Sequence, residues 1–315
     1  RLQEVVDVCD TILVMRDGKI VHNEPAEGLS IAQIARWMVG RDVGQAKEHR
    51  TFDYHDAPVI LSIENLWVDM PGETVRNVSL EVHKGEIIGI GGLAGQGKLG
   101  IPNGAMGLFP SGGKVIFEGA ELALNNPKNF LDAGMAFVSE DRRGVGLLLD
   151  ESLDWNITFA AMQVRGNYVK RFFNGLLQWR DEKEIQAAAR KYIEALQIKC
   201  TSSKQKAKEL SGGNQQKICC AKAFALEPRL LFVSEPTRGI DIGAKQLVLQ
   251  ALREQNEQAG TTIVMISSEL EELRAVCDRI AIITDGRIAG ILPADRPPED
   301  FGLLMVTDSS GSGEA

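Results

Sequence analysis

Five apolar runs of strand length constrain the fold more than any other feature of the chain. They are EIIGIGG at 86–92, MAFVSE at 135–140, LLFVSE at 230–235, TIVMISS at 262–268 and RIAIIT at 279–284. Runs without polar alternation belong to strands buried on both faces, the habit of parallel sheets flanked by helices. Between them, 181–196 and 242–258 carry apolar residues at helical spacing. The expected class is therefore α/β, with a mostly parallel sheet at its core.

The first of these strands runs into Gly92-Leu93-Ala94-Gly95-Gln96-Gly97-Lys98-Leu99-Gly100. Four residues separate Gly92 from Gly97 and a lysine follows, as in loops whose backbone N–H groups surround phosphates. Glycine belongs there because a side chain holds the oxygens away and because turns with positive φ cost glycine little. The spacing alone also fits a plain glycine-rich strand-to-helix turn. Leu99 departs from the phosphate-loop pattern, where Ser or Thr supplies a hydroxyl to Mg²⁺.

A second strand, Leu230-Leu231-Phe232-Val233-Ser234-Glu235, delivers Ser234 and Glu235 at its carboxyl end, the edge at which open α/β sheets bind ligands. Phosphate-loop ATPases place a magnesium-binding Asp there, followed by a carboxylate that positions or deprotonates the attacking water. Here Ser234 stands in the Asp position, while Glu235 and Lys98 remain. Two metal-binding side chains are thus replaced at one site.

Shortly before that strand lies Leu210-Ser211-Gly212-Gly213-Asn214-Gln215-Gln216-Lys217. Ser211 is a natural N-cap and the two glycines leave backbone donors exposed. A generic SGG reads as no more than a capped helix. LSGGNQQK after a phosphate loop and before a buried strand ending in Glu is far more specific.

An internal echo bears on domain organisation. RLQEVVDVCDTILVMRDGKIV at 1–21 aligns without gaps on ELEELRAVCDRIAIITDGRIA at 269–289. Leu2, Glu4, Val8, Cys9, Asp10, Ile12, Asp17, Gly18 and Ile20 recur as Leu270, Glu272, Val276, Cys277, Asp278, Ile280, Asp285, Gly286 and Ile288. Repeats disclose architecture, so residues 1–40 are expected to be the C-terminal remnant of a first domain copy, 41–57 a polar linker, 58–295 a whole second copy, and 296–315 a C-terminal tail. Arg1 in place of Met fits a processed chain or a piece of a longer one.

Composition narrows the partners. Lys and Arg number 35 against 43 Asp and Glu, a net charge of −8, so no positive field draws the chain to nucleic acid or anionic lipid. No apolar run approaches the roughly 20 residues that span a bilayer. Five cysteines, an odd count without any CxxC pair, suggest buried thiols of a reducing compartment, with no disulfide and no metal.

Taken together, VSEDRR at 138–143, LSGGNQQK at 210–217, EPTRGIDIGAK at 235–245 and SSELEE at 267–272 resemble the ATP-binding-cassette (ABC) family. The combination resembles the second nucleotide-binding half of the tandem ATPases of bacterial sugar importers of the ribose, galactose and xylose type. The resemblance covers Pro58 to about Leu292. It implies a P-loop NTPase fold of ABC type, with an antiparallel β-subdomain and an α-helical subdomain inserted at about 141–208. By position, Gly92 to Leu99 resembles Walker A, with Gly100 beside it among the candidate nucleotide-binding residues, Leu230 to Glu235 Walker B, and Arg238-Gly239-Ile240-Asp241 the D-loop. The Q-loop falls on Phe137 to Arg142 with Glu140 in place of Gln, and the switch histidine falls on Ser268. Leu99, Glu140, Ser234 and Ser268 are four altered catalytic positions.

The resemblance further implies ATP as cofactor, with Mg²⁺ weak or absent at this half, and Glu235 as the surviving catalytic carboxylate. Lys98, Gly95, Gly97 and neighbouring N–H groups are expected to hold nucleotide phosphates with weak turnover. The signature residues Leu210, Ser211, Gly212, Gly213, Asn214 and Gln215 are expected to complete the ATP site of a partner: the first ABC half of the same protein or a second copy. Other implied partners are a membrane-spanning permease and, indirectly, an extracytoplasmic sugar-binding protein, with the chain peripheral on the cytoplasmic face of the membrane. Trp67 and Tyr54 are candidates for stacking on adenine. Trp155, Phe159, Phe172, Phe173 and Trp179 are candidates for a permease-facing surface, although aromatic residues more often fill cores. A nucleoside importer and a regulatory nucleotide-binding module stay open as alternatives. A DNA- or ribosome-directed ABC protein does not fit an acidic chain with altered sites.

Overall fold

The computed structural model describes residues 5–6, 8–16, 19–30, 33–34, 37, 52, 56–172 and 177–306. Most of the expected linker, with Tyr54, lies outside them, as do Phe173, the side chain of Phe172 and the residues beyond Val306.

The N-terminal part forms a hairpin of β1 (Thr11–Arg16) and β2 (Lys19–Pro25). The main body begins with the antiparallel pair β3 (Val59–Val68) and β4 (Val75–His83), followed by the buried β5 (Ile87–Gly91). Then come α1 (Gly100–Ala105), β6 (Ser111–Phe117), β7 (Ala120–Glu121), α2 (Pro127–Ala133), β8 (Met135–Val138) and a π-helical turn at Arg142–Gly146. The inserted region holds α3 (Leu153–Arg165), β9 (Val169–Phe172), β10 (Leu177–Arg180) and α4 (Glu182–Ala195). The chain continues through α5 (Gly212–Phe224), β11 (Leu230–Ser234), α6 (Ile242–Ala259), β12 (Thr262–Ile266), α7 (Leu270–Val276), β13 (Arg279–Thr284), β14 (Arg287–Pro293) and α8 (Pro298–Val306).

Among the described residues, ten strands form one sheet in the order β7-β6-β3-β4-β14-β13-β5-β12-β11-β8. From β13 to β8 all neighbours are parallel, whereas β3, β4, β6 and β7 pair antiparallel. This is the expected parallel core with an antiparallel subdomain. Successive strand side chains point to opposite faces, and each face here enters its own core. Leu231, Val233, Ile263 and Met265 pack with helix residues such as Ile157, Ile218 and Leu252. Their neighbours Leu230, Phe232, Val264 and Ile266 pack with β3, β4 and β6. Burial of each such side chain is worth about 1.5–3 kcal/mol, which is why these runs admit no polar alternation.

One expectation needs correction. Residues 298–306 are a helix rather than a tail: Phe301 is 0% exposed and joins the core, because α8 closes over β13 and β14. Within the inserted region, β9 and β10 accompany the expected helices as an antiparallel pair. Asp181 ends that hairpin and caps α4, accepting the N–H groups of Lys183 at 3.1 Å and Glu184 at 3.3 Å.

The sequence echo has a structural counterpart. In the N-terminal hairpin Thr11 pairs with Pro25, Met15 with Ile20, and the register shifts between Val14 and Met15. In β13 and β14 Arg279 pairs with Pro293, Ile283 with Ile288, and the shift lies between Ile282 and Ile283. The two hairpins thus share register and bulge.

Candidate functional site

Because β5, β12, β11 and β8 are parallel neighbours, their carboxyl ends meet along one edge. That edge gathers the loop 92–100, Ser267 and Ser268 after β12, Ser234 and Glu235 at the end of β11, and Ser139 and Glu140 after β8. Glu235 sits in the left-handed region at φ +46° and is 8% exposed. Its N–H donates to Ile266 O at 2.8 Å, and its Oε1 accepts the Ser268 hydroxyl at 2.5 Å. Ser268, the position that the resemblance matches to the switch histidine, therefore holds the Glu235 carboxylate. Ser234 is 0% exposed, and its Oγ has no hydrogen-bond partner among the described residues. Glu140 Oε2 accepts the Ser139 hydroxyl at 3.3 Å.

The glycine loop folds against the turn between β3 and β4. A Cβ on Gly97, at φ +98°, would lie 2.6 Å from Thr74 O and 3.1 Å from the Gly286 Cα, so only glycine fits. Gln96 ties the loop to the β13–β14 turn: its carbonyl accepts the Gly286 N–H at 2.9 Å and its Oε1 the Asp285 N–H at 2.6 Å. Lys98 is 1% exposed, and its ammonium donates to Leu93 O within the same loop at 3.1 Å. Leu99 packs against the core on the β3 and β4 side.

The inward N–H groups of this loop are already engaged. Gly95 N donates to Glu73 Oε1 at 2.9 Å, while Gly97 N at 3.0 Å and Leu99 N at 3.2 Å donate to Glu73 Oε2. The sequence reading missed Glu73. The resemblance implies ATP with Mg²⁺ here, and the residues present do not fit that group as they stand. A carboxylate occupies the donors that face phosphate in such loops, a leucine stands where a hydroxyl is needed, and position 234 offers a neutral hydroxyl in place of a carboxylate.

The signature segment is ordered differently. Ser211 is exposed and precedes α5, with its Oγ accepting Asn214 Nδ2 at 3.0 Å, while Asn214 Oδ1 accepts the Lys199 N–H at 3.0 Å. Gln215 is buried and donates to Ala207 O at 3.1 Å. A Cβ on Gly213 would lie 2.6 Å from that of Ala244, so α5 and α6 meet there with no room for a side chain. Arg142 links this segment to the D-loop by donating to Arg238 O at 2.8 Å. Asp241 caps α6 through the Ala244 N–H at 2.9 Å. Trp67 lies over Gly112 on the antiparallel subdomain and is 48% exposed.

A groove of about 480 Å³ runs between the π-helical turn, α2 and α3. Val145, Leu148, Phe159, Ala160 and Val164 line it, and Val145 and Leu148 are exposed. Phe159 thus faces this groove, whereas Trp155 lies under the Arg180 guanidinium, 5.1 Å from its ring centroid. Trp179 is 73% exposed on β10.

Comparison with known proteins agrees with this geometry. The chain is 36% identical over 308 residues to the ribose import ATP-binding protein RbsA 3 of Rubrobacter xylanophilus, covering 98% of this chain and 59% of that protein. It is 36% identical over 317 residues to RbsA 2 of Rhizobium etli, covering 100% and 60%. The chain thus spans about three fifths of the length of the curated relatives it matches. Its fold is similar to that of a dimeric ATP-binding cassette in a post-hydrolysis state bound to ADP and Pi, with TM-score 0.63, 20% identity, and coverage of 76% and 100%. It is also similar to cbiO1 from Clostridium perfringens, with TM-score 0.61, 20% identity, and coverage of 79% and 92%. The family model described as ABC transporter matches residues 75–238. On these residues and this fold, the chain belongs to the ABC transporter family of ATP-binding cassettes.

Proposed function

We propose that this chain is the larger part of a tandem ATP-binding subunit that energises uptake of a ribose-type sugar, and that it serves mainly by completing the ATP site of a first cassette. One observation carries this reading: the chain's own site is altered at Leu99, Glu140, Ser234 and Ser268, while its signature segment keeps the LSGG pattern and leaves Ser211 exposed at the head of α5. The N-terminus of α5 presents Ser211 and the N–H groups that follow it, and the positive end of a helix stabilises phosphate charge. The Asn214 amide holds the Ser211 hydroxyl in place. Without a strong magnesium ligand at 99 or 234, charge developing on phosphoryl oxygens is poorly neutralised here, so the working site is the partner's.

The shared hairpin supports reading residues 1–40 as the end of that first cassette. Val8 is 82% exposed and Met15 60%, whereas their counterparts Val276 and Ile283 are 7% and 1% exposed. In the second copy the large sheet and its helices cover these positions, and an equivalent body covers the first copy in the complete protein. The similarity to ribose import proteins supports ribose as the sugar. The apolar groove beside Phe159 is the face offered to the permease, on the cytoplasmic side of the membrane. No helix among the described residues is long and apolar enough to cross a membrane.

Uptake of ribose by cells carrying the complete tandem protein and its permease tests this. Ser211→Arg is expected to abolish uptake, because it blocks the partner's site, whereas Glu235→Gln is expected to be mild. Equal and complete loss from both substitutions would refute the asymmetry.

A further inference from the structure

We propose that Glu73 is a built-in ligand of the phosphate loop. The chain supplies its own carboxylate to the donors that face phosphate, and the loop is thereby held closed to nucleotide. This goes beyond the altered motifs, which concern magnesium and hydrolysis; it concerns binding itself. It rests on the loop being a phosphate loop of this family and is independent of which substrate the transporter moves.

The delivery of Glu73 follows from local sequence. Met70-Pro71-Gly72-Glu73 closes a turn in which Glu73 N donates to Met70 O at 3.0 Å. Proline at the second position and Gly72 at φ +77° in the third are the residues a type II turn calls for. The turn points Glu73 into the loop, where its two oxygens divide the N–H groups of Gly95, Gly97 and Leu99 between them at 2.9–3.2 Å. Glu73 is only 9% exposed, and a buried carboxylate is tolerated because donors compensate for its lost water.

The turn's backbone is equally close. A Cβ on Gly100 would lie 2.2 Å from Glu73 O, and one on Gly97 2.6 Å from Thr74 O. Phosphate cannot reach these N–H groups while the carboxylate holds them, and the two anions repel each other. An attached competitor also acts at high effective concentration, so free nucleotide must displace a ligand that never diffuses away. Lys98 does not offset this, since its ammonium is folded back onto Leu93 O.

The test uses the full chain, with ATP and inorganic pyrophosphate as separate probes in isothermal titration, on wild type, Glu73→Ala and Glu73→Gln. Removal of the carboxylate is expected to tighten binding of both probes roughly tenfold or more. Equal binding by wild type and variants, including no binding by any of them, overturns the proposal. Amide hydrogen exchange of the nucleotide-free wild type gives a reading that needs no variant to fold. The amides of Gly95, Gly97 and Leu99 are expected to be protected, and rapid exchange at all three overturns it. Neither readout depends on sugar uptake, so this proposal and the importer assignment fail separately.

Discussion

Replacing Glu272 by Gln removes a charge from the middle of a buried network while keeping its volume. Glu272 lies on α7, is 2% exposed, accepts hydrogen bonds from Ser267 Oγ at 2.9 Å and from Thr237 Oγ1, and meets Lys245 Nζ of α6 at 2.5 Å. Lys245 also holds Glu269 Oε2 at 2.6 Å. The network thus joins the D-loop approach, the switch segment and two helices. Breaking one side of a buried ion pair costs about 3–5 kcal/mol, because the other charge is left uncompensated. Lys245 keeps Glu269 and its side chain is 28% exposed, so the expected loss on Glu272→Gln is smaller, about 2 kcal/mol.

Urea denaturation of Glu272→Gln, Lys245→Met and the double variant measures it. Each single variant strands one charge, so the double should be little worse than either, a coupling of about 2 kcal/mol. A loss under about 0.5 kcal/mol for Glu272→Gln, or strict additivity in the double, refutes the reasoning. The pH dependence gives a second check. Burial opposes the charge on Lys245, but hydrogen bonds to Glu269 and Glu272 outweigh it and raise its pKa above 10.5. A raised folded pKa gives stability that is full below pH 10.5 and fades as pH climbs through the folded value. Wild type should show this alkaline loss and Lys245→Met should lack it.

Two further outcomes are expected. Burial pushes the Cys219 thiol up to about 11 and raises those of Cys220 and Cys277 as well, whereas Cys9 is exposed and Cys200 half-buried. A thiol reagent at neutral pH should therefore label Cys9 first, Cys200 slowly and the other three only after denaturation; fast labelling of a third native thiol contradicts this. Ala160→Glu places a charge in the apolar groove beside Phe159. In the complete transporter it should lower uptake severalfold while leaving ATP binding unchanged, and normal uptake would argue against the groove as the permease face.

What the sequence disclosed about this molecule was mostly local. The strand ends at Ser234, Glu235 and Ser268 were readable because an unbroken apolar run, its length and the polar residue that ends it are all contiguous. The same holds for the glycine loop and the Ser211 segment. Glu73 was not readable: it joins residues 95–99 only through the register of β3 and β4, which no spacing rule reports, although Pro71-Gly72 marks the turn that carries it. The helix at 298–306 is not legible from its own residues, because only β13 and β14 supply the surface that Phe301 fills. The β9–β10 pair is not legible for a different reason: its two runs are short and pair only with each other among the described residues.

On the proposal that Glu73 closes the phosphate loop, the type II turn at Met70–Glu73 sets the order in which catalysis could be engineered in this cassette. A threonine at 99 and an aspartate at 234 would supply magnesium with partners yet leave the anion cradle filled, so those two changes by themselves should yield an enzyme no livelier than its parent. Repair has to begin at the hairpin tip, outside every motif by which such enzymes are recognised, and only afterwards move inward to the metal.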